Sequence, residues 1–161
     1  MKLNKKKLKN RFYRLFGTQN ELDIDLSKIE KKLDVNLPED FKKISKFYDG
    51  NNGFYLDGML CHNPNLSPDN ILSKTLFYRD KQLPKKFIVL GEPPESIILM
   101  ETVDSDMKIP HILWLSYADL DNLCQEKALN DSPIIYKSFS EFFDYLLTEE
   151  EIDVLESSNS P

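Results

Sequence analysis

IEKKLDVNLPEDFKKISKFYDGNNGF, residues 29–54, decides how this chain folds. Leu26, Ile29 and Leu33 fall at i, i+3 and i+7, the spacing that lines one face of an α-helix. Lys28, Glu30, Lys31, Lys32 and Asp34 take mostly the other face. The pattern breaks at Leu37-Pro38. Proline suits the first turn of a new helix, where its missing N–H costs nothing and its φ is already helical. Glu39 and Asp40 then place negative charge at the positive end of the helix dipole. Phe41, Ile44 and Tyr48 repeat the apolar spacing, with Phe47 alongside, until Asp49-Gly50 stops the helix. The stretch therefore reads as two short amphipathic helices joined by an elbow. It holds no residue set able to do chemistry.

Upstream, Leu8, Phe12, Leu15 and Phe16 predict one face of a basic N-terminal helix that ends near residue 17. Downstream, residues 54–60 read as a strand, bent at Asp57-Gly58, and 62–65 as a loop. Ser67-Pro68-Asp69 is a helix start, with Ile71, Leu72, Thr75 and Leu76 expected inward. Apolar runs at 87–90, 97–100 and 112–115, separated by turn residues, predict strands of a meander. Residues 117–129 suggest a weakly periodic helix, and 134–136 a last short strand. Ser138 and Glu141 form a capping box before Phe139, Phe142, Phe143, Leu146 and Leu147, the cleanest amphipathic pattern in the chain. The expected fold is α+β, a single domain with helices packed on a central antiparallel or mixed sheet. Its expected parts are a basic N-terminal helix and connector (1–25), the domain proper (26–148) and an acidic, flexible tail (149–161).

The elbow "L-x-V-x-LPEDF", flanked by amphipathic helices and closed by a glycine turn, resembles the opening of the SUKH superfamily. That superfamily includes bacterial immunity proteins and yeast cell-wall assembly regulators. The resemblance continues through Gln82-Leu83-Pro84 leading into 87–91, through Ile112-Leu113-Trp114, and through the closing Ser138-Phe139-Ser140-Glu141-Phe142-Phe143. It departs at residues 91–96, Gly-Glu-Pro-Pro-Glu-Ser, where many relatives carry a glycine-rich acidic hairpin. The resemblance implies an immunity protein that binds a cognate toxin domain, often a nuclease, and blocks it by occlusion. The alternative it implies is a non-catalytic regulatory scaffold that binds other proteins.

Charge is unevenly distributed. Residues 1–14 carry seven basic groups and no acid, whereas residues 87–161 carry 3 basic and 16 acidic groups, a net of −13. An acidic inhibitor suits a basic partner, because complementary potentials speed encounter. The acidic loop residues Glu92, Glu95, Asp104, Asp106, Asp119 and Asp121 are the candidate partner contacts. The basic N-terminus, with Phe12, Tyr13 and Phe16 interleaved, also fits a nucleic-acid or membrane contact. Both are disfavoured against a solvated basic helix, or one docked on the protein's own acidic half, since the rest of the chain repels phosphate.

Catalysis and metal binding find little support in these residues. Cys61 and His62 are adjacent, so on a strand they would point to opposite faces, and His111 and Cys124 have no ligand partner at useful spacing. No G-x-S-x-G or phosphate-binding glycine loop is present. Trp114, amid Ile112, Leu113 and Leu115, reads as a core aromatic. No metal, cofactor or catalytic residue is therefore expected, and the chain is expected not to be an enzyme. No apolar run approaches the ~20 residues of a membrane helix, and no apolar stretch follows the basic N-terminus, so a cytoplasmic protein with reduced thiols is expected.

Overall fold

The computed structural model describes residues 4–17, 21–50, 54, 56–103, 110–126, 129 and 133–158. Helix α1 (Lys5–Phe16) is capped by the Asn4 side chain and buries Leu8 and Phe12. Helix α2 (Ser27–Leu33) ends at Asp34, which takes the left-handed conformation (φ 55°) and returns its N–H to the Glu30 carbonyl. Helix α3 (Glu39–Ile44) starts directly after Pro38. It is shorter than the sequence pattern, yet Phe41, Ile44, Phe47 and Tyr48 are all buried.

Glu30 holds the elbow together: it accepts the Leu37 N–H (2.9 Å) and pairs with Lys42 (2.7 Å). The elbow is also the joint between helices and sheet, because the Val103 N–H donates to the Asn36 carbonyl (2.8 Å).

Strands β1 (Phe87–Gly91), β2 (Ser96–Glu101), β3 (Ile112–Ser116) and β4 (Ile134–Tyr136) form an antiparallel sheet in the order β1-β2-β3-β4. The register pairs Val89 with Leu99, Leu99 with Leu113 and Leu113 with Ile135, which places these four on one face. Ile98, Trp114 and Ile134 share the other face. The α+β fold expected from the sequence is the one observed, and of the antiparallel and mixed sheets it allowed, the antiparallel one forms.

The strand expected at 54–60 does not form among the described residues. Gly58 sits at φ 86°, and any side chain there would collide with the Glu92 carbonyl. The segment therefore turns rather than extends, leaving an isolated bridge from Met59 to Gly91 and the bond from the Leu60 N–H to the Leu90 carbonyl (2.9 Å). Helix α4 (Ile71–Asp80) packs against β1 and is capped by Asn70, not by Ser67. Residue 70 is held in place by its bridge to Cys61, so the helix begins where tertiary pairing releases the chain. Leu76, expected inward, is exposed, and Tyr78 is buried in its stead.

Helix α5 (Tyr117–Glu126) covers the Leu99–Leu113 face with Leu120, Leu123 and Cys124. Helix α6 (Phe139–Ser158) covers the other face: Phe142 and Tyr145 pack on Tyr136, and Tyr145 on Trp114.

The tail expected to be flexible from residue 149 is helical to Ser158. Arg11 on α1 donates to Asp144 and Glu151 (2.8 Å to Glu151), and Arg14 pairs with Glu151 (2.7 Å). These ion pairs hold the added turns against α1. The ring of Phe12 lies at the centre of this junction, 5.0–6.1 Å from the rings of Phe16, Phe47, Tyr48, Phe54 and Phe143. The basic helix thus docks on the chain's own acidic half.

Candidate interaction surface

The sheet register gathers four of the six acidic candidates at one end of the molecule. β1 ends, β2 begins and β3 ends there, since Ser96 pairs with Ser116. Glu92 and Glu95 lie in the β1–β2 turn, and Asp119 and Asp121 in the first turns of α5. Their states differ. Glu92 pairs with Lys74 (2.6 Å) and accepts the Tyr78 hydroxyl (2.6 Å). Burial opposes its ionisation, but these bonds outweigh it and hold its pKa below the ordinary value. Ser116 caps α5: the Asp119 N–H donates to Ser116 Oγ, whose hydroxyl donates back to Asp119 Oδ2 (2.7 Å). Glu95 is exposed at φ 58°, and Asp121 is exposed. Asp104 and Asp106 lie outside the described residues.

The opposite edge of the sheet carries a different surface. Ile134 and Ile135 of β4 are 57% and 53% exposed. Beside Ile135 lies a groove of about 430 Å³ lined by Phe87, Leu113, Leu123 and Leu129, with Lys86, Glu101 and His111 at one side. Glu101 is buried there. It accepts from Lys86 Nζ (3.1 Å), the His111 backbone N–H (3.1 Å) and His111 Nδ1 (3.0 Å). Burial opposes its ionisation, but these bonds prevail and keep its pKa low.

On the other face Trp114, Tyr136 and Tyr145 are half-buried. Trp114 donates its indole N–H to Ser96 Oγ (2.9 Å). It is a shelf at the rim of the core rather than a fully enclosed ring. Glu141 and Glu149 lie one helical turn on either side of Tyr145. Burial, then charge at Tyr145, Glu149 and Glu141, pushes the Tyr136 hydroxyl up to about 12.

The two histidines sit in different surroundings. His62 is wholly buried among Phe41, Tyr48 and Phe139, with Nδ1 2.9 Å from Ser45 Oγ. Desolvation pushes its pKa down to about 3. His111 is engaged by Glu101. Among the described residues no group of three or more His, Cys, Asp or Glu side chains is arranged to hold a metal. Among them, too, no helix is long and apolar enough to cross a membrane.

The sequence matches the SMI1 / KNR4 family (SUKH-1) over residues 22–145, well over half of its 161 residues. The chain belongs to the SUKH-1 family. No curated protein and no solved structure matches it. SUKH-1 proteins serve immunity or regulatory roles by binding partner proteins, and they are generally non-catalytic.

In this SUKH-1 domain the match opens before the elbow and closes inside α6, so α1 and the last turns of α6 flank it. Of the acidic residues beyond the match, Glu151 is engaged by α1 through Arg11 and Arg14. Sequence reasoning missed the β4 surface. Its signal was the paired Ile134-Ile135 beside Tyr136, a short apolar strand with no charge of its own.

Proposed function

We propose that this SUKH-1 domain is an immunity protein. It binds a cognate bacterial toxin domain, a basic nuclease being the class its charge suits best, and silences it by covering the active site. It works by binding alone and catalyses nothing. Family membership is the observation that carries the reading. The net −13 of residues 87–161 supports a basic partner. Arg11 and Arg14 are paired with Asp144 and Glu151, which weighs against the rival reading of the basic helix as a phosphate contact.

Glu92, Glu95, Asp104, Asp106, Asp119 and Asp121 are the proposed acidic contacts. Glu95 and Asp121 contribute through exposed charge, while Glu92 and Asp119 act from positions fixed by Lys74 and Ser116. The test is co-expression with the toxin gene encoded beside it. Restored growth and a stable one-to-one complex are expected. A neighbouring toxin that is neither bound nor neutralised would overturn the reading. Absence of any toxin gene alongside would favour the regulatory scaffold.

A further inference from the structure

The two edges of the sheet are treated differently. At β1 the edge is closed: Leu60 N–H donates to the Leu90 carbonyl, and Val89 N–H to Thr75 Oγ1 (2.9 Å) on α4. At β4, among the described residues, no segment pairs with the outer side. Open edges usually carry a charge, a proline or a bulge within the strand to deter pairing. Here Pro133 and Lys137 stand just outside, and the strand itself is Ile-Ile-Tyr.

We propose that β4 is an acceptor edge for an extended segment of a cationic protein, whose side chains alternate apolar and basic. Strand geometry sends successive side chains of an added strand to opposite faces. One set meets the apolar groove beside Ile135. The other meets the shelf of Trp114, Tyr136 and Tyr145, rimmed by Glu141 and Glu149. An aliphatic side chain fits the first face. Arginine or lysine fits the second, through ring faces and carboxylates together. Lys137 follows the strand directly, but residues 87–161 as a whole are at −13, so a cationic strand is drawn in and an anionic one repelled.

This rests on the partner-binding reading above and adds to its acidic contacts a second surface at the opposite edge, but its test needs no toxin. A blocked hexapeptide alternating valine and arginine is titrated into the isotopically labelled full chain, with a valine–glutamate hexapeptide as control. The expected result is amide shifts concentrated at 133–137 and the Trp114 indole, saturating below roughly 1 mM and weakening as salt rises. Ile135→Lys and, separately, Glu149→Lys are expected to weaken binding by about tenfold, whereas Asp57→Lys, exposed on the β1 side of the sheet, leaves it unchanged. Glu149 is exposed on a helix, so its variant tests the shelf without disturbing the sheet. Equal binding of the glutamate peptide, shifts centred on 92–96 and 117–121, or no binding to the unsubstituted chain would overturn the proposal. A chain that neutralises its toxin yet fails the peptide titration refutes the edge alone. One that passes the titration but does not protect refutes the immunity reading alone.

Discussion

Acidifying the solution from pH 7.5 to pH 5 is expected to strip about 2 kcal/mol from the stability of this protein through His62 alone. The imidazole is fully enclosed, bonded to Ser45 Oγ and packed between the rings of Phe41, Tyr48 and Phe139. Desolvation moves its pKa from 6.5 to about 3. The folded state therefore holds a neutral ring at pH values where the unfolded chain takes up a proton. A histidine with a depressed folded pKa contributes fully above 6.5, and its contribution is lost as pH falls toward 3. Between those limits the slope is ~1.4 kcal/mol per pH unit, so pH 5 costs ~2 kcal/mol. In a chain of this length that lowers the melting temperature by roughly 4–8 °C. Carboxylates held low by their partners, such as Glu92, Glu101 and Glu151, weaken the fold only at more acid pH. The assay is urea unfolding across pH 5–7.5 on the parent and on a Ser45→Ala/His62→Leu double variant. Removing both polar partners avoids stranding the serine hydroxyl. The parent midpoint should fall with pH and the double variant's should stay level. A parent that does not lose stability, or a double variant that loses it equally, would refute the reasoning.

Other outcomes follow from the helix docking and the turns. Phe12→Ala should cost about 3–5 kcal/mol by opening a cavity among five rings, measured by chemical denaturation. Deleting residues 1–16 should therefore destabilise the domain rather than abolish a salt-sensitive nucleic-acid contact, which calorimetry and filter binding would separate. Arg11→Met should cost about 1–3 kcal/mol and raise amide exchange selectively across 149–158, because Asp144 and Glu151 lose a shared partner. Gly58→Ala should cost at least ~1 kcal/mol, since φ is 86° and the methyl meets the Glu92 carbonyl.

Where structure is set by neighbours in sequence, the chain was legible. The Pro38 elbow, the α1 stripe at Leu8 and Phe12, the strands at 87–91 and 112–116 and the Ser138–Glu141 start of α6 all rest on spacings of one to four residues. The misreadings share a cause. Ser67-Pro68-Asp69 has good helix-start chemistry, and Ser67 Oγ does accept the Asp69 N–H (3.1 Å), but the bridge from Cys61 to Asn70 delays the helix to residue 71. Residues 54–60 have strand composition, but the close approach of Gly58 to Glu92 forces a turn. Among the candidate contacts, local charge singled out Glu92 and Asp119 without revealing that Lys74 and Ser116 already hold them.

The sequence by itself determined the kind of scaffold, two helices hinged at Leu37-Pro38 against a sheet, and the excess of acid beyond residue 86. Only the tertiary structure decided what those elements present. It turned the N-terminal cations inward onto Asp144 and Glu151, more than 130 residues away, and so extended α6 through the acidic tail. It sealed His62 in an aromatic core and left Ile134 and Ile135 exposed on β4, whose outer side is unpaired among the described residues. Periodicity and capping act over one helical turn and are written in the local sequence. Burial and ion pairing depend on which distant residues meet, and that is fixed only when the helices close over the sheet.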